Sequence, residues 1–411
     1  MQRPRTLRHA SVLAFLRLPG RSDRPPRARP YRLTPLLFVA AAIAACEHPP
    51  TSVSEAPALE VAEHGSGGPG RALRLMTRNV YLGGDVAPVL AVDFSDIAAV
   101  TGAAATVWAS VQANDFAARA AEIAEEIARN RPEVVGLQEV ARFITLDAAF
   151  QPTGVLDYVA LLESALTARG LEYDLWVQEN TDVVLPIELD LQAGAVTGLL
   201  RFTDRIALLV DRDLDDVVVT QGNYATTITL APGVTLKRGW IRLRAADRDR
   251  PFELVNTHLE GQALAPVQAG QTAELLAMLA GGSGPTYVLG DLNSDAAADP
   301  GAPSWTPTYD VLRDAGFADV WLESQGRRPR GGFTCCHLPD LSNPPGLLDE
   351  RIDFILVRGA PTNPHGALLG AIRTDIVGEE RRDRTPGGLW PSDHAGLVAA
   401  LRFPPGLLAQ P

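Results

Sequence analysis

Residues 286–295 read TYVLGDLNSD, an apolar run that ends at a glycine and is followed by carboxylates and an amide. The short run of β-favouring residues predicts a buried strand. Functional side chains of α/β folds gather at the ends of such strands. Other apolar runs carry polar residues at or near one end, namely Asn79, Glu139, His258, Asp353 and the pair Asp393–His394. Each alone fits a turn or a solvated loop, but together they predict one site built from several strands.

The segments between these runs alternate between helix and strand patterns. Apolar residues recur at helical spacing over 116–127, and helices are also predicted over 157–169 and 266–279. Further strands are predicted over 205–210, 226–230, 240–243, 252–257, 352–357 and 395–401. Several consecutive strands have no helix between them, which predicts mixed sheets rather than a doubly wound parallel sheet. Residues 82–112 lack a clean period, so we interpret them as a long insertion.

The N-terminal segment predicts export. An Arg-rich stretch precedes the apolar run LLFVAAAIAA at 36–45, which is too short to span a bilayer and ends at Cys46. This layout is typical of a signal peptide and resembles a bacterial lipobox with Cys46 as the lipidated residue. An ordinary signal peptide with an incidental Cys stays as the alternative. We therefore expect an exported protein, secreted or anchored to a bacterial membrane.

The domain organisation follows from composition. Residues 1–46 are predicted to be the signal peptide with its lipobox, and the Pro-, Ser- and Gly-rich residues 47–70 a flexible tether. Residues 71–403 contain no second linker and are predicted to be one catalytic domain, with 404–411 as a tail.

The net charge limits the classes of partner. The chain has 37 Lys and Arg against 49 Asp and Glu, a formal charge of −12, and nine of the Arg lie within residues 1–45. The residues after position 45 therefore carry a larger net negative charge than the whole chain. An acidic domain of this kind is a poor non-specific binder of nucleic acid. It does suit a site that collects divalent cations.

Six short motifs that contain these polar residues occur in the following order along the chain: TRNVY (77–81), GLQEV (136–140), NTHLEG (256–261), LGDLNSD (289–295), ERIDFILV (350–357) and PSDHAGL (391–397). Over residues 71–403 the chain resembles the endonuclease/exonuclease/phosphatase superfamily, which includes deoxyribonuclease I, abasic-site endonucleases, neutral sphingomyelinases and inositol polyphosphate 5-phosphatases. The resemblance implies a four-layer α/β/β/α sandwich with two mixed, mainly antiparallel sheets.

The resemblance also implies roles in a metal-dependent reaction. Glu139, Asp393 and Asn79 match positions that hold or support a divalent metal, with Mg²⁺ expected and Mn²⁺ or Ca²⁺ as alternatives. His394 matches the catalytic histidine, and Asp353 matches the acid that fixes its tautomer.

The remaining expected site residues surround the phosphate. His258 matches a second catalytic histidine, with which we pair Asp204. Asp291 matches the acid that orients or deprotonates the attacking water. Asn293 and Asn79 match groups that hold a phosphate oxygen, and Arg205 is either a phosphate ligand or a salt-bridge partner.

The substrate stays open at this point. The resemblance implies in-line hydrolysis of a phosphodiester, in a phospholipid head group or in a nucleic acid, with a phosphomonoesterase or a non-catalytic binding lipoprotein as alternatives. The predicted anchor at Cys46 places the site near a membrane, and no protein partner is implied.

Two adjacent cysteines lie between the last motifs. An oxidising compartment favours a vicinal disulfide between Cys335 and Cys336, while metal binding by two thiolates and free thiols are the alternatives. We expect their segment, 333–341, to form a loop over the site. His337 in that loop is a further candidate contact to substrate or metal.

Overall fold

Two β-sheets form from the apolar runs. The computed structural model describes residues 72–404 apart from 191, 283 and 326–330. The predicted signal peptide, Cys46, the tether and the C-terminal tail lie outside the described residues. The strands within them are β1 Leu73–Asn79, β2 Val134–Gln138, β3 Arg142–Asp147, β4 Pro152–Asp157, β5 Tyr173–Asp190, β6 Ala195–Asp211, β7 Asp215–Asn223, β8 Ile228–Ala231, β9 Val234–Leu236, β10 Gly239–Asp247, β11 Arg250–His258, β12 Thr286–Asp291, β13 Ala318–Asp319, β14 Asp353–Arg358, β15 Ala371–Val377 and β16 Gly396–Arg402.

The helices lie between these strands. They are α1 Ala87–Leu90, α2 Ile97–Ala113, α3 Phe116–Asn130, α4 Tyr158–Ala168, α5 Ala265–Met278, α6 Thr308–Asp314 and α7 Val320–Gln325. Sequence predicted α3, α4 and α5 because each has an apolar stripe and a clear start or stop. Asp115 and Asp157 cap α3 and α4 by accepting hydrogen bonds from the first-turn backbone N–H groups.

The strand order shows mixed sheets. The first sheet runs β15-β16-β1-β2-β6-β3-β4, with β5 also paired to β6, and the second runs β13-β14-β12-β11-β10-β7. The pairs β1–β2 and β11–β12 are parallel, and the other pairs in both sheets are antiparallel. The predicted mixed, mainly antiparallel arrangement is confirmed.

Alternate residues of the central strands face two different apolar layers. In β6, Ile206 and Leu208 point between the two sheets, whereas Ala207 and Leu209 point toward the helices. Helices α2, α3 and α4 cover the outer face of the first sheet, and α5 and α6 cover that of the second. The layer order is therefore α/β/β/α, as the resemblance implies.

One buried amide links the two sheets. Asn256 of β11 accepts a hydrogen bond from Gln138 Nε2 (2.7 Å) and donates to the carbonyls of Leu137 (3.2 Å) and Ala207 (2.8 Å) in the first sheet. Gly136 of β2 makes room for it, because a Cβ at that position would lie 2.6 Å from Asn256 Oδ1. A polar group buried between apolar layers fixes how the layers are aligned, because a shift would leave it unpaired.

Two regions differ from the sequence prediction. Residues 82–112 contain α1 and most of α2, whose buried Val100, Ala104, Val107 and Val111 follow helical spacing. Alanine on its other faces hides this period. The strand predicted over 205–210 is the end of β6, which pairs with β5 as a long hairpin. In the part of the chain that is described, no helix is both long and apolar enough to cross a membrane.

Candidate active site

Three catalytic candidates stand side by side at one edge of the second sheet. His258 at the end of β11 is in register with Asp291 at the end of β12, and Asp291 is in register with Asp353 at the start of β14. In the first sheet, Asn79 ends β1 and Glu139 follows β2. The predicted meeting of strand ends from different parts of the chain is therefore observed, and both sheets contribute to it.

Asn79 connects the two halves of the site. Its Nδ2 donates to Glu139 Oε1 and to Asp291 Oδ2, each at 3.0 Å. Its Oδ1 accepts the backbone N–H of Tyr81 at 2.9 Å, which fixes the orientation of the amide. Asn79 therefore positions the two carboxylates and does not turn its oxygen toward a metal.

Glu139 is held in an unusual backbone conformation. Its φ is 59°, in the left-handed region that non-glycine residues seldom adopt, and its Oε2 accepts the N–H of Leu82 at 2.8 Å. Such a conformation has an energetic cost and clusters at functional sites. It brings Glu139 toward the second sheet, where ligand atoms of Glu139, His258 and Asp291 lie within 4.8 Å of one another.

The donor set fits a hard divalent cation. Burial, and then the neighbouring Asp353 carboxylate, raise the pKa of Asp291 to about 7. Burial also raises the pKa of Asp393 to about 7, and the Glu139 carboxylate adds to this effect. Among the described residues, no Arg or Lys forms an ion pair with these three carboxylates. Carboxylate oxygens that no Arg or Lys neutralises are ligands that Mg²⁺ prefers.

His394 and Asp353 form a buried pair across the two sheets. His394 Nδ1 lies 2.8 Å from Asp353 Oδ2, so its Nε2 faces Asp291 Oδ2 and Asp393 Oδ1, each at 3.9 Å. Burial alone would lower the pKa of His394, but Asp353 and then Asp393 raise it well above its usual value. The imidazole is therefore a cation at neutral pH with a fixed orientation.

His258 has a different partner from the one predicted. Arg238 Nη1 donates to His258 Nδ1 at 3.0 Å, and Asp204 Oδ2 accepts from the same Nη1 at 3.5 Å. The predicted direct Asp204–His258 pair is wrong, because the guanidinium lies between them. A guanidinium can only donate, so Nδ1 accepts from Arg238, while Nε2 lies 3.5 Å from Asp291 Oδ2 and 3.1 Å from Asn293 Nδ2. Burial, and then Arg238, lower the pKa of His258 well below its usual value.

Asp204 helps to hold Arg238 beside His258. Its Oδ2 also accepts from Asn180 Nδ2 at 3.1 Å, while its Oδ1 is buried without a partner. Burial raises the pKa of Asp204 to about 6, against the lowering effect of Arg238. Asp204 therefore positions Arg238, which in turn sets the tautomer of His258.

Arg205 is not a phosphate ligand. Its Nη2 forms an ion pair with Asp157 Oδ1 at 2.5 Å, and its Nε donates to the Val140 carbonyl at 2.8 Å. It is the salt-bridge partner that the sequence left as the alternative. The cause is the strand period, because adjacent residues of β6 face opposite sides of the sheet.

Asn293 lies beside His258. Its Nδ2 is 3.1 Å from His258 Nε2 and donates to the Leu259 carbonyl at 3.0 Å. Its backbone φ of 49° turns the chain sharply after β12 and lets its N–H donate to Asp291 Oδ1 at 2.9 Å. This position is consistent with contact to a phosphate oxygen, which stays a prediction.

Two buried arginines hold the loops of the site, and the sequence analysis missed them. Arg119 of α3 donates to the carbonyls of Val80, Tyr81 and Pro391 at 2.7–3.1 Å. Arg78 of β1 pairs with Glu126 at 2.9 Å and donates to the His394 carbonyl. The signal for Arg119 was its place on the apolar face of α3, where a charge needs a structural reason. Arg238, also missed, gave no such signal.

The predicted loop over the site is present. His337 N donates to the Asp393 carbonyl and Ala395 N donates to the Thr334 carbonyl, both at 2.7 Å. Cys335 and Cys336, between these two contacts, are joined by a disulfide, the alternative favoured from sequence. His337 stacks on Trp390 with ring centroids 4.3 Å apart.

Comparison with known proteins identifies the family. Residues 79–394 match the model of the Endonuclease/Exonuclease/phosphatase family, and the chain belongs to this family. Its members are metal-dependent hydrolases of phosphodiester bonds. A search of curated proteins found no match.

Solved structures of the same family are similar at low identity. A family protein from Leptotrichia buccalis is 12% identical, with 81% of this chain and 100% of that chain covered and a TM-score of 0.48. A second from Beutenbergia cavernae is 21% identical, with 81% and 72% covered and a TM-score of 0.47. A third from Bacteroides vulgatus is 17% identical, with 81% and 99% covered and a TM-score of 0.47.

Proposed function

We propose that this protein hydrolyses a phosphodiester by in-line attack of a water molecule on phosphorus. The observation that carries the proposal is the placement of the His394 imidazole, fixed by Asp353, 3.9 Å from Asp291, which Asn79 links to Glu139. This constellation puts a charged imidazole, a base and a cation-binding carboxylate around one position.

Each side chain has a distinct role in this proposal. Asp291 orients the attacking water and accepts its proton, with its carboxylate held in place by Asn79 at 3.0 Å. The charged His394 neutralises negative charge that develops on the phosphoryl oxygens. His258, kept neutral by burial and by Arg238, faces a phosphoryl oxygen through Nε2, with Asn293 beside it.

Glu139 would hold the divalent cation, with Asp393 close enough to add to the negative potential. When bound, Mg²⁺ supplies Lewis-acid polarisation of the phosphate and lowers the charge repulsion of the nucleophile. Mn²⁺ and Ca²⁺ take similar oxygen ligands and stay as alternatives.

A phospholipid head group is the substrate that we propose. The sequence supports this through the predicted lipid anchor at Cys46 and the acidic charge, which disfavours duplex DNA. The loop over the site adds Phe333 and Leu338, which are 36% and 50% exposed although large and apolar. Exposed apolar side chains on a loop of the site suit a substrate that lies in a lipid surface.

The test is hydrolysis by the full-length chain with Mg²⁺ and with EDTA. Substrates are sphingomyelin/phosphatidylcholine vesicles, plasmid DNA and a bis-phenyl phosphate reporter. We expect Mg²⁺-dependent release from the vesicles and its loss in Glu139→Ala, Asp291→Ala and His394→Gln. His365→Gln, at an exposed turn, is the matched control.

The outcomes separate the candidate functions. Preference for plasmid DNA would replace the lipid proposal with a nuclease. Activity on phosphomonoesters alone would indicate a phosphatase. No metal-dependent turnover on any substrate by a folded protein would favour a binding lipoprotein, and near wild-type activity of any of the three variants would contradict its assigned role.

A further inference from the structure

The disulfide of the loop lies against the catalytic imidazole, and the proposed reaction does not use it. Two backbone hydrogen bonds align residues 334–337 with residues 393–395. They join Ala395 N to the Thr334 carbonyl and His337 N to the Asp393 carbonyl, both at 2.7 Å. Cys335 and Cys336 are therefore held opposite His394 by contacts on both sides of the pair.

The ligand atoms of these three residues are close together. One sulfur from each cysteine and a ring nitrogen of His394 lie within 4.8 Å of one another. Ligands of a tetrahedral zinc ion with bonds of about 2.0–2.3 Å are roughly 3.5–4 Å apart. Breaking the S–S bond would let the two sulfurs move apart to this spacing while both stay near the ring nitrogen.

The surroundings of His394 favour a metal at its Nε2. Its Nδ1 is engaged by the Asp353 carboxylate at 2.8 Å, the arrangement that orients zinc-binding histidines in many proteins. Asp291 and Asp393 lie 3.9 Å from Nε2 and add negative potential. Cys336 is exposed, which gives a cation access from solvent, whereas Cys335 is buried.

We infer that Cys335, Cys336 and His394 form a second metal site, specific for soft divalent cations such as Zn²⁺ and available only when the disulfide is reduced. A dithiol or phosphine reductant donates two electrons, the S–S bond breaks, and each sulfur takes up one proton. Cation binding then releases to solvent the two thiol protons and the Nε2 proton of His394, because thiolates and a neutral ring nitrogen are the ligands. Oxygen-ligand cations such as Mg²⁺ do not compete for thiolates.

The site would act as an inhibitory switch. A cation bound through His394 Nε2 removes the charged imidazole from the reacting phosphate. Zn²⁺ should therefore inhibit the reduced protein and leave the oxidised protein active. The binding part of this inference is independent of the proposed function, and the inhibition part rests on it.

Binding is tested on the full-length chain, reduced with a phosphine or left oxidised. Zn²⁺ is titrated in competition with a chromogenic chelator, and Cd²⁺ is used as a spectroscopic probe through thiolate-to-metal charge-transfer absorbance. We expect one more bound ion per chain after reduction, with charge-transfer absorbance. Cys336→Ser and His394→Gln should each weaken binding at that site by at least about tenfold.

Matched controls come from the same chain. Cys46→Ser removes the other cysteine and His365→Gln removes an exposed histidine, so both should bind the extra ion as the wild type does. Equal stoichiometry before and after reduction would overturn the inference, as would unchanged binding in Cys336→Ser. Near-ultraviolet circular dichroism of the reduced protein verifies that it is folded.

Inhibition is measured with the substrate that gives the highest turnover. We expect Zn²⁺ to inhibit the reduced wild type and Cys46→Ser, and to spare Cys336→Ser at the same concentration. Absence of all turnover would contradict the proposed function while the binding titration still decides the metal site. Tight binding without inhibition would overturn the switch.

Discussion

The hydrogen bond between His394 and Asp353 gives one imidazole its orientation and stabilises its charge. Asp353→Asn leaves the shape of the site intact but removes the carboxylate that holds the Nδ1 proton, so the charged imidazole loses its main support. We expect kcat to fall by about 10³–10⁴-fold, as for loss of the orienting acid in a catalytic triad. The measurement is steady-state hydrolysis, with Mg²⁺ affinity as a readout that should change little. A loss of less than tenfold would contradict the role of Asp353.

A second residue-scale prediction concerns Glu379, which follows β15. Burial raises its pKa to about 8, with Asp383 adding to the effect, and its Oε2 has no partner. When the pKa of an acid is higher in the folded state than in the unfolded state, the protein becomes less stable as pH rises from the unfolded-state pKa through the folded-state pKa. Glu379→Gln should therefore raise Tm near pH 9 and have little effect near pH 4.

The exposed neighbour Glu380 gives the control. Glu380→Gln should show no comparable pH-dependent gain, because its side chain is solvated and already pairs with Arg382 at 2.6 Å. Equal behaviour of the two variants in thermal melts across this pH range would contradict the prediction.

Sequence identified most side chains of the site because they end apolar strands. Asn79, Glu139, His258 and Asp291 were found in this way. The position of a side chain at the end of a strand does not predict which other side chain it will contact. The predicted partner of His258 was a carboxylate, but Arg238, from a turn between short strands, occupies that place. Contacts between residues distant in sequence depend on the packing of the whole domain.

At the scale of elements, α3 does more than cover a sheet. Its Arg119 is fully buried and fixes the loop after Asn79 and the loop before His394 through backbone carbonyls. Arg119→Met leaves these carbonyls buried and unpaired, each at about 1–3 kcal/mol. We expect a loss of at least about 3 kcal/mol in the free energy of unfolding and a lower kcat.

Arg129 of the same helix is the matched control. It is 35% exposed and pairs with Asp383 at 2.9 Å, so Arg129→Met should cost about 1 kcal/mol or less. Denaturant unfolding monitored by fluorescence measures both variants. Similar losses for the two would show that Arg119 is not a loop anchor.

A helix or strand could be predicted from the sequence to the extent that one of its faces is apolar and the opposite face polar. Helix α3 alternates apolar and charged residues and was found with its end points. Helix α2 has alanine on most sides, so no face stands out, and it was read as an insertion. The hairpin of β5 and β6 was recognised only at its fully buried end, since the outer part is half-exposed and carries mixed residues.

For the whole molecule, metal binding and pH should be linked. Asp291 and Asp393, with pKa values raised to about 7, destabilise the metal-free fold as pH rises from about 4 through about 7. Bound Mg²⁺ removes this penalty and competes with protons for the carboxylates. At about pH 8 and one hundred times its Kd, Mg²⁺ should add about 2.7 kcal/mol to the free energy of unfolding and raise Tm accordingly. At about pH 5 we expect little change in Tm.

Thermal melts with EDTA and with Mg²⁺ at both pH values measure this linkage. Glu139→Gln should reduce the Mg²⁺ effect at about pH 8. A stabilisation independent of pH, or unchanged in that variant, would contradict binding at these carboxylates.

The alignment of the two sheets is also open to test. Asn256→Leu breaks three hydrogen bonds between the sheets and puts an apolar group against the carbonyls of Leu137 and Ala207. We expect a loss of about 3 kcal/mol or more in the free energy of unfolding. Urea unfolding and kcat, measured together, should both fall, and unchanged stability would contradict the role of Asn256.

The reacting groups are divided between the sheets, with Asn79, Glu139 and His394 on one and His258, Asp291 and Asp353 on the other. The gap between the sheets is set by the apolar side chains that fill it. Catalytic groups must stay within about 0.5 Å of their productive positions. A change of side-chain volume deep between the sheets therefore changes the spacing of the reacting groups, and we expect the reaction rate to change with it.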